Sequence, residues 1–222
     1  MARHSGSRSV LARALVLALG VALAGCASES EDADDADSEP SSGASAATAK
    51  PCLATDSALF FHGLNGFGRD LARPGLCVPA LGGDTGFWSD VAYTKASAAE
   101  VVGGYSAGRI PLLRRLAKDE GLERTAVLLD GSWADGPRFD GRTGPSIVDA
   151  WLDKDPERRF VLVYLPSSAG WREFVALASG AHKEQVTVCP IAGNHSHGDL
   201  PAIVTPKLFL DPDAWVAERC AR

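Results

Sequence analysis

Gly104-Tyr105-Ser106-Ala107-Gly108 is the segment of this 222-residue sequence with the clearest chemical content. It follows the apolar run Val101–Gly103 and precedes a helical pattern, Ile110–Lys118. A serine between two glycines at such a junction can sit on a turn too sharp for side chains at the glycine positions. Its hydroxyl is then exposed at a helix N-terminus, where backbone N–H groups and the helix dipole favour a developing negative charge. A serine hydroxyl becomes a useful nucleophile only beside a base, and the base needs an orienting acid. Carboxylates and imidazoles stand after other apolar runs: Asp130 and Asp135 after Ala126–Leu129, and His195 and His197 after Val186–Ile191.

The elements that must position these groups alternate along the chain. Ala58–Phe61, Ala126–Leu129, Phe160–Leu165 and Val186–Ile191 are short runs with apolar, β-branched or aromatic content, and Cys77–Leu81 is a weaker one. Between and after them lie helical stretches at Ile110–Lys118, Ser146–Leu152, Trp171–Ser179 and Pro212–Cys220. Continuous apolar strands alternating with helices predict an α/β fold, a mostly parallel sheet with helices on both faces. In such sheets reactive groups gather at the carboxyl ends of the strands, where the residues named above stand.

On these motifs the chain resembles the α/β-hydrolase superfamily over roughly residues 58–201, in a compact form without a lid insertion. Gly104–Gly108 matches the G-x-S-x-G elbow, which implies Ser106 as nucleophile. His62-Gly63-Leu64-Asn65-Gly66 is similar to the H-G-L-x-G segment of bacterial lipases and esterases. The resemblance implies an oxyanion hole from the Leu64 and Ala107 N–H groups, with His62 holding the loop. A common acid position, after Phe160–Leu165, offers only Pro166-Ser167-Ser168. Some lipases take their acid from the preceding strand end, which here is Asp130, with Asp135 in the same loop as runner-up. The family order of Ser, acid, His puts the base near the C-terminus. His197-Gly198-Asp199-Leu200-Pro201 resembles an H-x-x-[I/L]-P ending, so His197 is the expected base and His195 the runner-up.

Two histidines two residues apart could also form half of a metal site, but no matching carboxylate–histidine cluster is visible elsewhere in the sequence. The expected activity is cleavage of a carboxylic ester through an acyl-enzyme, with no metal or organic cofactor. Alternatives are an amidase or peptidase acting on cell-wall or peptide substrates, and a non-catalytic tethered binding module on the same fold. A monomer is expected.

The front of the chain is a separate matter. Arg3, Arg8 and Arg13 precede an apolar run, Leu15–Ala24, too short to be a comfortable membrane span and laid out as a secretory signal. It closes on Leu23-Ala24-Gly25-Cys26, which resembles the lipobox of bacterial lipoproteins. That resemblance implies cleavage before Cys26, lipidation of its thiol and N-terminus, and firm anchoring by several acyl chains. The expected location is the cell envelope, at the outer membrane if the cell is Gram-negative, because Ala27-Ser28 lacks a retaining aspartate. Residues 1–25 are thus read as signal peptide, 26–50 as lipidated cysteine and tether, and 51–222 as the hydrolase domain. The tether has seven acidic side chains, one basic one and no apolar periodicity, which predicts disorder.

From Pro51 onward 18 basic and 21 acidic residues leave a balance of −3, against −6 for the whole chain, and no basic face suggests nucleic acid. Four cysteines remain: Cys52, Cys77, Cys189 and Cys220. An even count in an exported protein favours disulfides, and the lack of close cysteine pairs argues against a cysteine-based zinc site. The sequence alone leaves three pairings open. In the hydrolase sheet the strands near Ala58 and Cys77 are neighbours, so the resemblance favours Cys52–Cys77 and Cys189–Cys220.

Overall fold

The computed structural model describes residues 52–63, 68–79, 98–119, 121–131 and 141–220. Cys26, the leader, the tether, Leu64 and Asp135 lie outside them. The described residues form an α/β fold around one six-stranded, all-parallel sheet of order β2-β1-β3-β4-β5-β6. The strands are β1 (Ala58–Phe61), β2 (Leu76–Cys77), β3 (Val101–Tyr105), β4 (Thr125–Leu129), β5 (Arg159–Tyr164) and β6 (Val186–Pro190). The helices are α1 (Arg109–Lys118), α2 (Gly144–Leu152), α3 (Arg172–Val175), α4 (Leu200–Leu210) and α5 (Pro212–Arg219). Among the described residues no helix is long and apolar enough to cross a membrane.

The apolar runs are continuous because the sheet is buried on both sides, and the two-residue strand period deals alternate side chains to opposite faces. Leu59, Phe61, Val102, Ala126, Leu128, Phe160 and Leu162 pack under α1, α2 and α3, with Leu112, Leu116, Ile147, Trp151 and Phe174. Ala58, Phe60, Val127, Leu129, Val161 and Val163 pack under α4 and α5, with Leu200, Val204, Leu208, Phe209 and Trp215.

Three elements differ from expectation. The stretch Trp171–Ser179 forms only the four-residue α3, followed by a 3-10 turn at Ala176–Ser179. The run Cys77–Leu81 yields only a two-residue strand, Leu76–Cys77, since Pro79 brings no N–H to a ladder. Helix α4 was not legible, because Pro201 and Pro206 both stand in it. Pro201 occupies the first turn, where its missing N–H is harmless. Pro206 breaks the intrahelical ladder, but burial of Leu200, Val204, Leu208 and Phe209 against the sheet outweighs that loss.

Both disulfides join the expected partners, Cys52–Cys77 and Cys189–Cys220. Cys77 lies in β2 and Cys189 in β6, the two edge strands among the described residues.

Candidate active site

Strand β3 ends at Tyr105, and the chain turns at once into a 3-10 segment, Ser106–Gly108, that runs on into α1. Ser106 makes the turn with φ of 53°, in the left-handed region. The flanking glycines are required by contact. A Cβ on Gly104 would lie 2.3 Å from the Gly108 carbonyl oxygen, and one on Gly108 would lie 2.0 Å from the Phe61 carbonyl oxygen. The start of the helical run therefore backs directly onto the end of β1. Ala107 is the second residue of that run, so its N–H belongs to the first-turn donors that find no acceptor within a helix.

The segment after β1 approaches the same turn. His62 is fully buried, and its Nδ1 donates to the Gly63 carbonyl at 2.7 Å. A Cβ on Gly63 would lie 3.3 Å from Ser106 Cβ. Gly63 thus lies beside the serine.

Asp130 follows β4 directly, with no exposed surface and φ of 40°. Its N–H donates to the Val163 carbonyl at 2.8 Å, which fixes the backbone against β5. Its carboxylate is shared. Oδ2 accepts from His197 Nδ1 at 2.7 Å, and Oδ1 accepts from the Ser168 hydroxyl. An ionised carboxylate can only accept, so Nδ1 carries the hydrogen and Nε2, across the ring, presents its lone pair.

His197 opens a 3-10 turn, His197–Asp199, whose entry is held by a capping box. Asp199 Oδ2 accepts from the Ser196 N–H at 2.9 Å and from its hydroxyl at 2.7 Å. Those two bonds hold the Asp199 carboxyl below its ordinary range. Tyr105, the residue before Ser106, grips the same turn. Its hydroxyl donates to the His197 carbonyl at 2.7 Å, and its ring lies 4.7 Å from the imidazole. Burial pushes the Tyr105 phenol above its usual value, and the charges of Asp130 and Asp199 add to that.

His197 thus meets Asp130 just past the end of β4, the strand beside the β3 end that carries Ser106. His195 stands apart: it is exposed, and a Cβ on Gly193 would lie 2.9 Å from its Nε2.

Three contributors had not been singled out in the sequence. Ser168 follows β5, the strand end that offered no acid, and supplies a hydrogen bond to the acid from the next strand. Its turn is held by its own N–H to the Leu165 carbonyl at 2.9 Å and by the Trp171 indole N–H to the Ser168 carbonyl at 2.7 Å. Trp171 in turn stacks on Tyr164 at 4.2 Å. Arg109 and Glu173 form a second pair, with Arg109 Nη1 donating to Glu173 Oε1 at 2.8 Å. Burial lowers the Arg109 pKa from its usual value, and Glu173 opposes that shift. The signal for Arg109 is its place: a cation at a helix start opposes the dipole, so the position needs another reason, here an ion pair to α3. A Cβ on Gly131, next to Asp130, would lie 3.1 Å from the Cδ of this arginine.

This arrangement provides a hydroxyl at a helix start and an imidazole oriented by a buried carboxylate. Neither the family models nor the curated proteins compared with this sequence match it.

Proposed function

We propose that this chain is a serine hydrolase of the α/β-hydrolase superfamily, cleaving carboxylic esters through an acyl-enzyme on Ser106. The observation that carries the proposal is the 2.7 Å bond from His197 Nδ1 to Asp130, made at the end of the strand next to the one that delivers Ser106. A left-handed serine between two glycines that admit no side chain is a costly local structure. Its use is to lift a hydroxyl out of the sheet.

In the proposed reaction His197 Nε2 takes the Ser106 proton as Oγ attacks the substrate carbonyl. The carbonyl oxygen becomes an oxyanion and receives the Ala107 N–H, and that of Leu64 by the family resemblance. Asp130 stabilises the imidazolium, with Ser168 holding the carboxylate in place. His197 then returns the proton to the leaving alkoxide, which departs as alcohol. Water repeats the sequence against the acyl-enzyme and releases the acid. We further propose that the chain is exported and anchored to a membrane by lipid on Cys26, so that the site works at the cell envelope.

Treatment of the folded protein with a fluorophosphonate, followed by peptide mapping, tests the enzymatic reading. Modification at Ser106, absent in Ser106→Ala, together with hydrolysis of a short-chain aryl ester is expected. A folded wild type that neither reacts nor hydrolyses would leave a binding module as the better description. For the anchor, Cys26→Ser should abolish lipid labelling; label that persists in that variant rejects the attachment site.

A further inference from the structure

A second cluster of chemically active side chains lies at the other end of the sheet. Asp149 and Asp153 stand four residues apart at the end of α2, hence on one face of the helix. His182 lies in the connection that leads to β6. All three precede the strands β5 and β6, whereas Ser106 and Asp130 follow β3 and β4.

His182 is buried, at 8% exposure, and its orientation is set by Gln185. The Gln185 amide nitrogen lies 3.4, 3.0 and 3.1 Å from the carbonyl oxygens of Leu152, Asp155 and Arg158. Only the NH₂ end of the amide can face three acceptors, so Oε1 is the atom that meets His182 Nδ1 at 2.8 Å. An amide oxygen accepts and never donates. Nδ1 therefore carries the hydrogen, and Nε2 faces two carboxylates, 3.4 Å from Asp149 Oδ1 and 3.2 Å from Asp153 Oδ1.

Nε2 and the two carboxylate oxygens, all within 4.8 Å of one another, are three atoms that one cation could join. A single linear charged N–H···O bond is typically ~2.7–2.9 Å long. The observed separations are longer. They fit the edge of a tetrahedron, about 3.3 Å when the metal–ligand bonds are about 2.0–2.1 Å long. A histidine whose second ring nitrogen donates to a fixed oxygen is also the arrangement in which metal-bound imidazoles are held.

We propose that Asp149, Asp153 and His182 form a binding site for one divalent transition-metal ion, with zinc the best match. An imidazole beside two carboxylates suits zinc, whereas calcium and magnesium prefer all-oxygen shells. The carboxylates are 53% and 68% exposed, which gives the ion a path in and leaves room for a water as fourth ligand. The ion would tie the end of α2 to the turn before β6, across the same loop whose carbonyls Gln185 binds. Its role is structural, since it stands away from Ser106. Cysteine spacing could not reveal this site. Its ligands are two aspartates one helical turn apart and a histidine far along the chain.

The test is titration of the chelator-treated full chain with zinc chloride, followed by calorimetry and by thermal melting. One ion bound per chain and a Tm that rises with zinc concentration are expected. Asp149→Asn with Asp153→Asn keeps the shape of two exposed side chains. It should remove that stoichiometric binding and the zinc-dependent rise, while the zinc-free Tm and ester hydrolysis stay as in wild type. A zinc isotherm unchanged in the double variant would assign the uptake to other histidines and overturn the proposal. So would a wild type that takes up no zinc while the double variant melts lower without metal, the behaviour of a proton-bridged ion pair.

Discussion

Ser106 and Asp130 each stand one residue beyond a pair of register partners, Tyr105 and Leu129, and both have left-handed backbones. An extended residue at either position would return its side chain to one face of the sheet. The left-handed turn instead sends the hydroxyl and the carboxylate off the strand ends together. Such a conformation costs an L-residue about 1–2 kcal/mol, and the surroundings must hold it. At Ser106 the holding contacts are the close-packed glycine backbones, and at Asp130 they are the bonds to Val163, His197 and Ser168.

That strain predicts an opposition between stability and activity at Ser106. Ser106→Gly should unfold in urea with about 1 kcal/mol more stability than wild type, because glycine accepts positive φ without penalty. Ser106→Ala keeps the strain and should show no such gain. Both should be inactive on an aryl ester. Equal stability in all three proteins would show that the turn is not strained.

The two neighbouring histidines should behave differently. His197→Ala should lower kcat/KM by about a thousandfold or more, as loss of a base does in a hydrolytic triad. His195→Ala should stay within about threefold, because its ring lies near Gly193 rather than on Asp130. Inactivity of His195→Ala beside near-normal turnover in His197→Ala would reassign the base.

Ser168 offers a test that a purely structural serine would not pass. Its hydroxyl is a donor to a buried carboxylate, a bond of roughly 1.5–3 kcal/mol. If about half of that is expressed in orienting His197, Ser168→Ala loses about four- to tenfold in kcat with little change in KM. A variant with wild-type kcat over the whole pH profile would remove Ser168 from the site.

Tyr105 gives the fold an alkaline limit. Its folded pKa is raised by burial and by Asp130 and Asp199, while the unfolded phenol ionises near its ordinary value of about 10. The unfolded state therefore loses this proton first. The contribution is complete below about pH 10 and is lost as pH rises above that value. Tm measured between about pH 9 and pH 11 should fall more steeply in wild type than in Tyr105→Phe. Parallel curves would exclude this linkage.

Much of this architecture is legible in the sequence because strand burial writes itself as apolar runs. Ala58–Phe61 has the expected bounds, and the helix begun by Ile110 starts one residue earlier. Helix α4 is hidden because prolines mask a helix that packing sustains, and its apolar residues cover too much of its surface to leave an amphipathic pattern. At the site, Ser106, Asp130 and His197 carry local signals: glycines, a strand end, a turn before a proline. Ser168 and Tyr105 carry none, since their importance depends on a partner 38 residues away in one case and 92 in the other.

The position of the two disulfides has a consequence for how the protein must be made. An open sheet has two unpaired strand margins, and each can recruit a strand from another chain. Here β2 is pinned to the segment before β1, and β6 to the end of α5. Both margins are thus held by bonds that form only under oxidising conditions. Synthesised in a reducing compartment, the chain would keep its central strands but could fray at either side, and frayed margins pair with one another. Its yield of dispersed product should therefore track the oxidation of four thiols more closely than the strength of the apolar core.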